Sequence, residues 1–185
     1  MNLRRGDSFP VRVSRVKDGD GCVAVRLGWF GRTQGTFEVR LHAIDAPEHD
    51  QPFGREATNM LRRIAEGKRF NFKVWEPQDQ YGRVVGVLYH RRLGRSINRQ
   101  MVELGMAYRF SRHGEMSGLG LAQAEKNARR RKLAVWSLPK GGVRPWHHRQ
   151  QQRAEARRRR SIEYRVLRLI FKSLTWLLRK FLRLR

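Results

Sequence analysis

The chain has 185 residues, room for one compact domain and an appendage but hardly for two full domains. Lys and Arg number 41 against 16 acidic residues, a net charge of +25, and a single cysteine, Cys22, excludes an internal disulfide and a cysteine-rich zinc site. The basic excess runs through body and tail alike, which points to a polyanionic partner: nucleic acid or an anionic membrane surface.

The first residues, Met1 to Asp7, are charged and lack the apolar stretch of a signal peptide. No uncharged apolar run approaches the ~20 residues that span a membrane. The expectation is a soluble chain, cytoplasmic by default, with export by another route left open. Phe9, Val11 and Val13 alternate with polar neighbours, the pattern of a half-buried strand. Asp18-Gly19-Asp20-Gly21 reads as a turn, and Cys22 to Leu27 as the second strand of a hairpin, with Cys22 packed as a small apolar residue. Gly28 to Gly35 reads as a loop. Phe37, Val39 and Leu41 alternate with Glu38, Arg40 and His42 in a third strand, which sets Arg40 opposite the apolar face.

Phe53 to Glu66 fits an amphipathic helix with Gly67 past its end. Phe70, Phe72 and Val74 give a fourth strand and Val84 to Tyr89 a fifth, joined by the turn Asp79-Gln80-Tyr81-Gly82-Arg83. Ser96 is placed to cap a helix stopped by Gly105, and another helix covers Leu119 to Arg131. Five strands in hairpin order with helices inserted late predict an α+β protein, a five-stranded OB-fold-like barrel with about three helices. The boundaries follow: an N-terminal arm over 1–8, the barrel domain over 9–138, a basic linker over 139–160, and a basic amphipathic helix over 161–185.

Singly, each motif has a plain reading. Asp-Gly-Asp is a common hairpin turn, Asp45-Ala46-Pro47-Glu48 suits a helix start, and an arginine on a polar strand face is usually solvated. Jointly they say more, because strand ends of a small barrel converge. Two carboxylates, a backbone carbonyl and waters make a hard-oxygen site suited to Ca²⁺, and Pro47 holds Ala46 out of helical conformation. The six histidines show no metal-ligand spacing: His147 and His148 are adjacent, and His42, His49, His90 and His113 are scattered.

From about Phe9 to Ser137 the chain resembles the staphylococcal (micrococcal) nuclease family. The resemblance rests on Asp18-Gly19-Asp20, Arg40-Leu41 with Asp45-Ala46-Pro47-Glu48, Gln51-Pro52-Phe53-Gly54 with Glu56-Ala57, and Asp79-Gln80-Tyr81-Gly82-Arg83. Asn98 with Val102, Leu104-Gly105 and Ala107, and Leu133 with Trp136-Ser137, continue it in order. It implies Ca²⁺ held by Asp20, Asp45 and the Ala46 carbonyl, catalytic roles for Arg40, Glu48 and Arg83, and Tyr81 beside the bound nucleotide. Thr is usual in the family at the positions of Ala46 and Gly21. The implied activity is hydrolysis of DNA, and of RNA, to 3′-phosphate ends. The alternatives are an inactive nucleic-acid-binding barrel and a scaffold held at a membrane surface by its tail.

In the tail, Arg165, Arg168, Lys172, Arg179 and Arg183 fall at helical spacing, and Leu167, Ile170, Phe171, Leu174, Leu177, Leu178, Phe181 and Leu182 cover the other side. Such a helix suits an anionic membrane surface, a nucleic acid, or a partner helix.

Overall fold

Alternating apolar side chains build the barrel, and the computed structural model describes residues 2–92, 94–110 and 119–182. Strand β1 (Ser8–Val16) buries Phe9, Val11 and Val13, and β2 (Gly21–Leu27) buries Cys22 and Ala24 against them. Strand β3 (Thr33–Leu41) turns Val39 and Leu41 inward. After the two-residue β4 (Ile44–Asp45) and helix α1 (Gly54–Ala65), strands β5 (Arg69–Glu76) and β6 (Val84–His90) add Phe70, Phe72, Val74, Val87 and Leu88 to the same core. Helix α2 (Ile97–Glu103), strand β7 (Tyr108–Arg109), α3 (Leu121–Arg130) and α4 (Pro145–Leu182) follow.

The barrel is closed, in the order β1-β2-β3-β6-β5, with β5 returning to β1. Plain hairpin succession does not describe it, because β3 and β6 run parallel, with Arg40 beside Val85. A parallel pair needs a long crossover. β4, α1 and β5 supply it. β4 pairs with β7 in a small separate ladder.

Helix α1 places Ala57, Leu61 and Ala65 against the barrel. Its start is set by Phe53, which takes a left-handed conformation, and Gly67 follows its end as expected. The Ser96 hydroxyl accepts the Arg99 amide, the cap anticipated for α2. The N-terminal arm is tied down: Leu3 is buried and the Gly6 amide donates to the Val74 carbonyl. In the β2–β3 connection the glycine-rich loop is shorter than expected, since a single helical turn (Trp29–Gly31) leads into β3 at Thr33.

The chain divides into two units, Met1–Pro145 and Trp146–Arg185. The second is the body of α4. This corrects the expected linker over 139–160, which is helical from Pro145 onward. Six arginines and three glutamines between Arg149 and Arg160 mask the helix, because a face that is polar all round gives no period to read. Proline at the start fits, since its missing amide is an orphan there in any helix. Ile162, Tyr164, Leu167 and Phe171 are exposed on α4. Arg183 and His113 lie outside the described residues, as do the side chains of Ile170, Lys172, Leu174, Leu177, Leu178, Arg179, Phe181 and Leu182. Among the described residues no helix is long and apolar enough to cross a membrane.

Candidate active site

The site begins at the turn between β1 and β2. The Asp18 carboxylate accepts the Asp20 amide, which folds the turn on itself. Glycine is required at position 19, because a side chain there would meet the methyl groups of Ala46 and Ala57. The turn is thereby pressed onto the segment after β4 and onto α1, and the second Asp20 oxygen accepts the Ala46 amide at 2.8 Å.

Arg40 stands opposite Gly21 in the β2–β3 register. Its Nη1 pairs with Asp20, and its Nη2 donates to Asp45 Oδ1 at 2.6 Å. Asp45 is brought back beside its own strand by a tight reversal in which Ala43 is left-handed, with φ of 60°. The side chains of Asp45 and Asp20 are 0% and 8% exposed, and that of Arg40 is 17% exposed. Two buried carboxylates therefore share one guanidinium.

This donor set fits a hard cation. The protein would contribute both carboxylates and the Ala46 carbonyl, with the remaining oxygens supplied by solvent or substrate, as Ca²⁺ tolerates. Among the described residues no group of three or more His, Cys, Asp or Glu side chains is close enough to hold a metal.

Glu48 lies two residues beyond Ala46 in a loop held from both sides. Its amide donates to Gln51 Oε1 at 2.9 Å, the Gln51 amide returns to the Glu48 carbonyl, and Gln51 Nε2 donates to the Val143 carbonyl at 2.9 Å. A side chain at Gly54 would run into the Glu48 carbonyl, so α1 closes down on the loop. Arg144, next to Val143, is itself clamped. Its guanidinium lies over the rings of Tyr108 and Trp136 and reaches Glu125 at 3.5 Å. Burial pulls the Arg144 pKa down, and the charge of Glu125 acts against that pull.

Arg83 enters from the β5–β6 turn. Asp79 Oδ2 accepts its Nε and Nη2 at 3.0 and 2.8 Å, while Asp79 Oδ1 accepts the amides of Tyr81 and Arg83. Burial alone would raise the Asp79 carboxyl, but these hydrogen bonds and the Arg83 charge outweigh it and hold the group below its usual range. The bonded edge of the Arg83 fork leaves Nη1 to donate elsewhere. Arg83 immediately precedes β6, whose Val85 lies opposite Arg40 in the parallel pair with β3. Tyr81 is exposed at the tip of the turn, with the Arg83 guanidinium 5.2 Å from its ring centre.

Direct contacts thus join Asp20, Arg40, Asp45 and Ala46. Glu48 follows in the adjoining loop, and Arg83 and Tyr81 lie on the turn that leads into β6, the neighbour of β3. The positioning groups Asp79, Gln51, Arg144 and Glu125 have no assigned role in the sequence reading. The Asp79-to-Arg83 spacing within one turn is a signal for the first. Nothing in sequence announces Gln51 bonding to a residue 92 positions away. Asn98 is fully buried and ties β6 to the end of β3 by donating to the carbonyls of His42 and Gly86.

The His42 ring beside this framework stacks on Trp75 at 4.5 Å, and the Arg5 guanidinium lies over that indole. Burial, then the Arg5 charge, lowers its pKa from 6.5 to about 4, and its buried Nε2 has no hydrogen-bond partner among the described residues. The unfolded chain binds this proton below about pH 6.5 and the folded one only below about pH 4. Stability from His42 is therefore complete above pH 6.5 and is lost as pH falls toward 4. Urea unfolding at pH 7 and pH 5 is expected to show this loss, and His42→Phe, which keeps the stack without the proton, is expected to reduce it. An equal loss in both proteins would remove His42 as its source.

Fold and site together define a small OB-like barrel with an acid–arginine cluster where its strand ends meet. Comparison with known proteins gives the family. Residues 38–138 match the model for the staphylococcal nuclease homologues. The chain is 34% identical over 146 residues to the micrococcal nuclease of Shigella flexneri, covering 75% of this chain and 79% of that one. It is 33% identical over 135 residues to an uncharacterized endonuclease of Escherichia coli, covering 73% and 81%. The staphylococcal-like nuclease CAN1 of Arabidopsis thaliana is 32% identical over 117 residues, which are 63% of this chain and 34% of the plant protein. The chain thus spans about a third of such plant relatives. It belongs to the staphylococcal nuclease family.

Proposed function

We propose that this chain is a Ca²⁺-dependent nuclease that hydrolyses phosphodiester bonds of DNA, and of RNA, leaving 3′-phosphate ends. The observation that carries the reading is the buried cluster of Asp20, Arg40 and Asp45, with Ala46 bonded to Asp20 and the Glu48 loop next in the chain. Family membership and the names of the bacterial relatives support it.

Ca²⁺ on Asp20, Asp45 and the Ala46 carbonyl would supply charge neutralisation to a scissile phosphate. Arg40, anchored by both aspartates, donates its remaining N–H groups to a phosphate oxygen that gains charge as the fifth bond forms. Arg83, aimed by Asp79, donates from Nη1 to the same phosphate and to the departing 5′-oxygen. The Glu48 carboxylate takes a proton from the attacking water, with the Gln51 and Val143 bonds keeping its loop in place. Tyr81 offers an exposed ring against a nucleotide.

Cleavage of single- and double-stranded DNA is expected with Ca²⁺ and is expected to stop when a chelator removes it. DNA that is bound yet left intact under every divalent metal would make the barrel a binding module instead.

A separate reading concerns α4. Its exposed Ile162, Tyr164, Leu167 and Phe171, among Arg157 to Arg160, Arg165 and Arg168, favour an anionic membrane surface over nucleic acid alone. Phosphates would use the arginines and leave the apolar side chains in water.

A further inference from the structure

Trp29 and Phe30 sit side by side at the tip of the β2–β3 hairpin, 86% and 99% exposed. Among the described residues they are the two most exposed of the large hydrophobic side chains. Their turn is well fixed: the Gly28 amide donates to the Arg32 carbonyl at 2.7 Å, and the Arg32 amide to the Trp29 carbonyl at 3.2 Å. Phe30 is held left-handed at φ of 55°, a conformation that costs a residue with a side chain free energy. The ring gains no burial in return. A strained, exposed aromatic of this kind is suited to something outside the chain.

The surroundings are basic. Arg26 and Arg32 flank the turn, and the Arg69 guanidinium reaches within 3.8 Å of where a side chain on Gly31 would begin. No acidic residue occurs from Gly21 to Phe37. Aromatic rings with one apolar face and an arginine collar match the boundary of an anionic bilayer, where rings settle among headgroups and arginines meet phosphates.

Bases of a nucleic acid are the competing occupant, and position argues against them. The site lies where Gly21 faces Arg40, at the other end of this hairpin. Seven residues of β2 separate the two ends by roughly 20 Å. From Thr33 to Val39 strand β3 carries no Lys or Arg, and it carries Glu38. A single strand running from site to tip along the hairpin would lack the basic track that such strands follow.

We propose that the Trp29–Phe30 tip is a membrane-contact site that inserts into the headgroup region of anionic phospholipid bilayers. It is distinct from the cleavage site and does not depend on the reaction proposed above.

The test uses the full chain with Phe30→Cys, labelled with an environment-sensitive bimane. Cys22 is fully buried and its thiol is pushed up to about 12, so it does not compete for the label. Phosphatidylcholine vesicles containing about one-third phosphatidylglycerol are expected to bind the protein, and brominated lipid to quench the label, whereas pure phosphatidylcholine does neither. The double variant Trp29→Ser, Phe30→Ser is expected to bind the anionic vesicles at least about tenfold more weakly. It should cut a free oligonucleotide as the parent does, which separates loss of the tip from loss of the enzyme. A label that aqueous iodide still quenches on vesicle-bound protein would overturn the proposal and leave α4 as the attachment. So would absence of vesicle binding, or protection of the label by a single-stranded oligonucleotide or by a second copy of the chain.

Discussion

Glu48→Gln is expected to lower turnover by at least about 10²-fold while leaving the fold and DNA affinity intact. The amide has the shape of the carboxylate but accepts no proton at neutral pH. The bonds between this loop and Gln51 come from the backbone of Glu48 and are kept in the amide variant. Turnover under saturating DNA, with near-ultraviolet circular dichroism as a control on folding, measures the effect. Near-parental turnover in a folded variant would remove Glu48 from the reaction.

The second large effect is expected at Arg40, in activity and stability at once. Arg40→Ala removes the proposed phosphate donor and leaves Asp20 and Asp45, both buried, without their shared cation. Removing one partner of a buried ion pair costs about 3 kcal/mol or more. Turnover is expected to fall by at least about 10²-fold. The same variant reports on the cation independently of catalysis. With the guanidinium gone, a bound Ca²⁺ would offset charge that Arg40 offsets in the parent, so its addition should raise Tm more in Arg40→Ala than in the parent. Arg40→Lys is expected to recover part of the stability and little of the activity, because an ammonium cannot bridge both aspartates as the fork does. A Tm equally insensitive to Ca²⁺ in both proteins would argue against a cation at these carboxylates.

Much of the barrel is legible in the sequence because its strands are half-buried and alternate cleanly. Phe9, Val11 and Val13 do so, as do Phe37, Val39 and Leu41, and Arg40 is placed on the outer face by the same period. The helix caps are legible for a local reason too: Ser96 and Gly67 act within a few residues of themselves. Pairing is not local. Period two says which face a residue takes but not which strand lies beside it, and so the parallel β3–β6 contact escapes a reading in hairpin order.

The site divides along the same line. Asp20, Arg40, Asp45, Ala46 and Glu48 belong to short motifs, and their proximity follows from strand ends that converge. Their support does not. The Glu48 loop depends on Gln51 reaching Val143, and Val143 sits beside an arginine held by Tyr108, Trp136 and Glu125. Those residues are scattered through the second half of the domain. Trp29 and Phe30 show the converse. The glycine-rich stretch that holds them reads as a loop, and nothing in that reading says that its turn leaves both rings exposed.

The most direct test of the central claim is the chemistry of the ends left on a short DNA after digestion in Ca²⁺. Attack by water with loss of the 5′-oxygen predicts 3′-phosphates, produced by the parent, absent in Glu48→Gln and absent under chelator. Products ending in 3′-hydroxyls, or equal yields with Glu48→Gln, would contradict the assignment of this site.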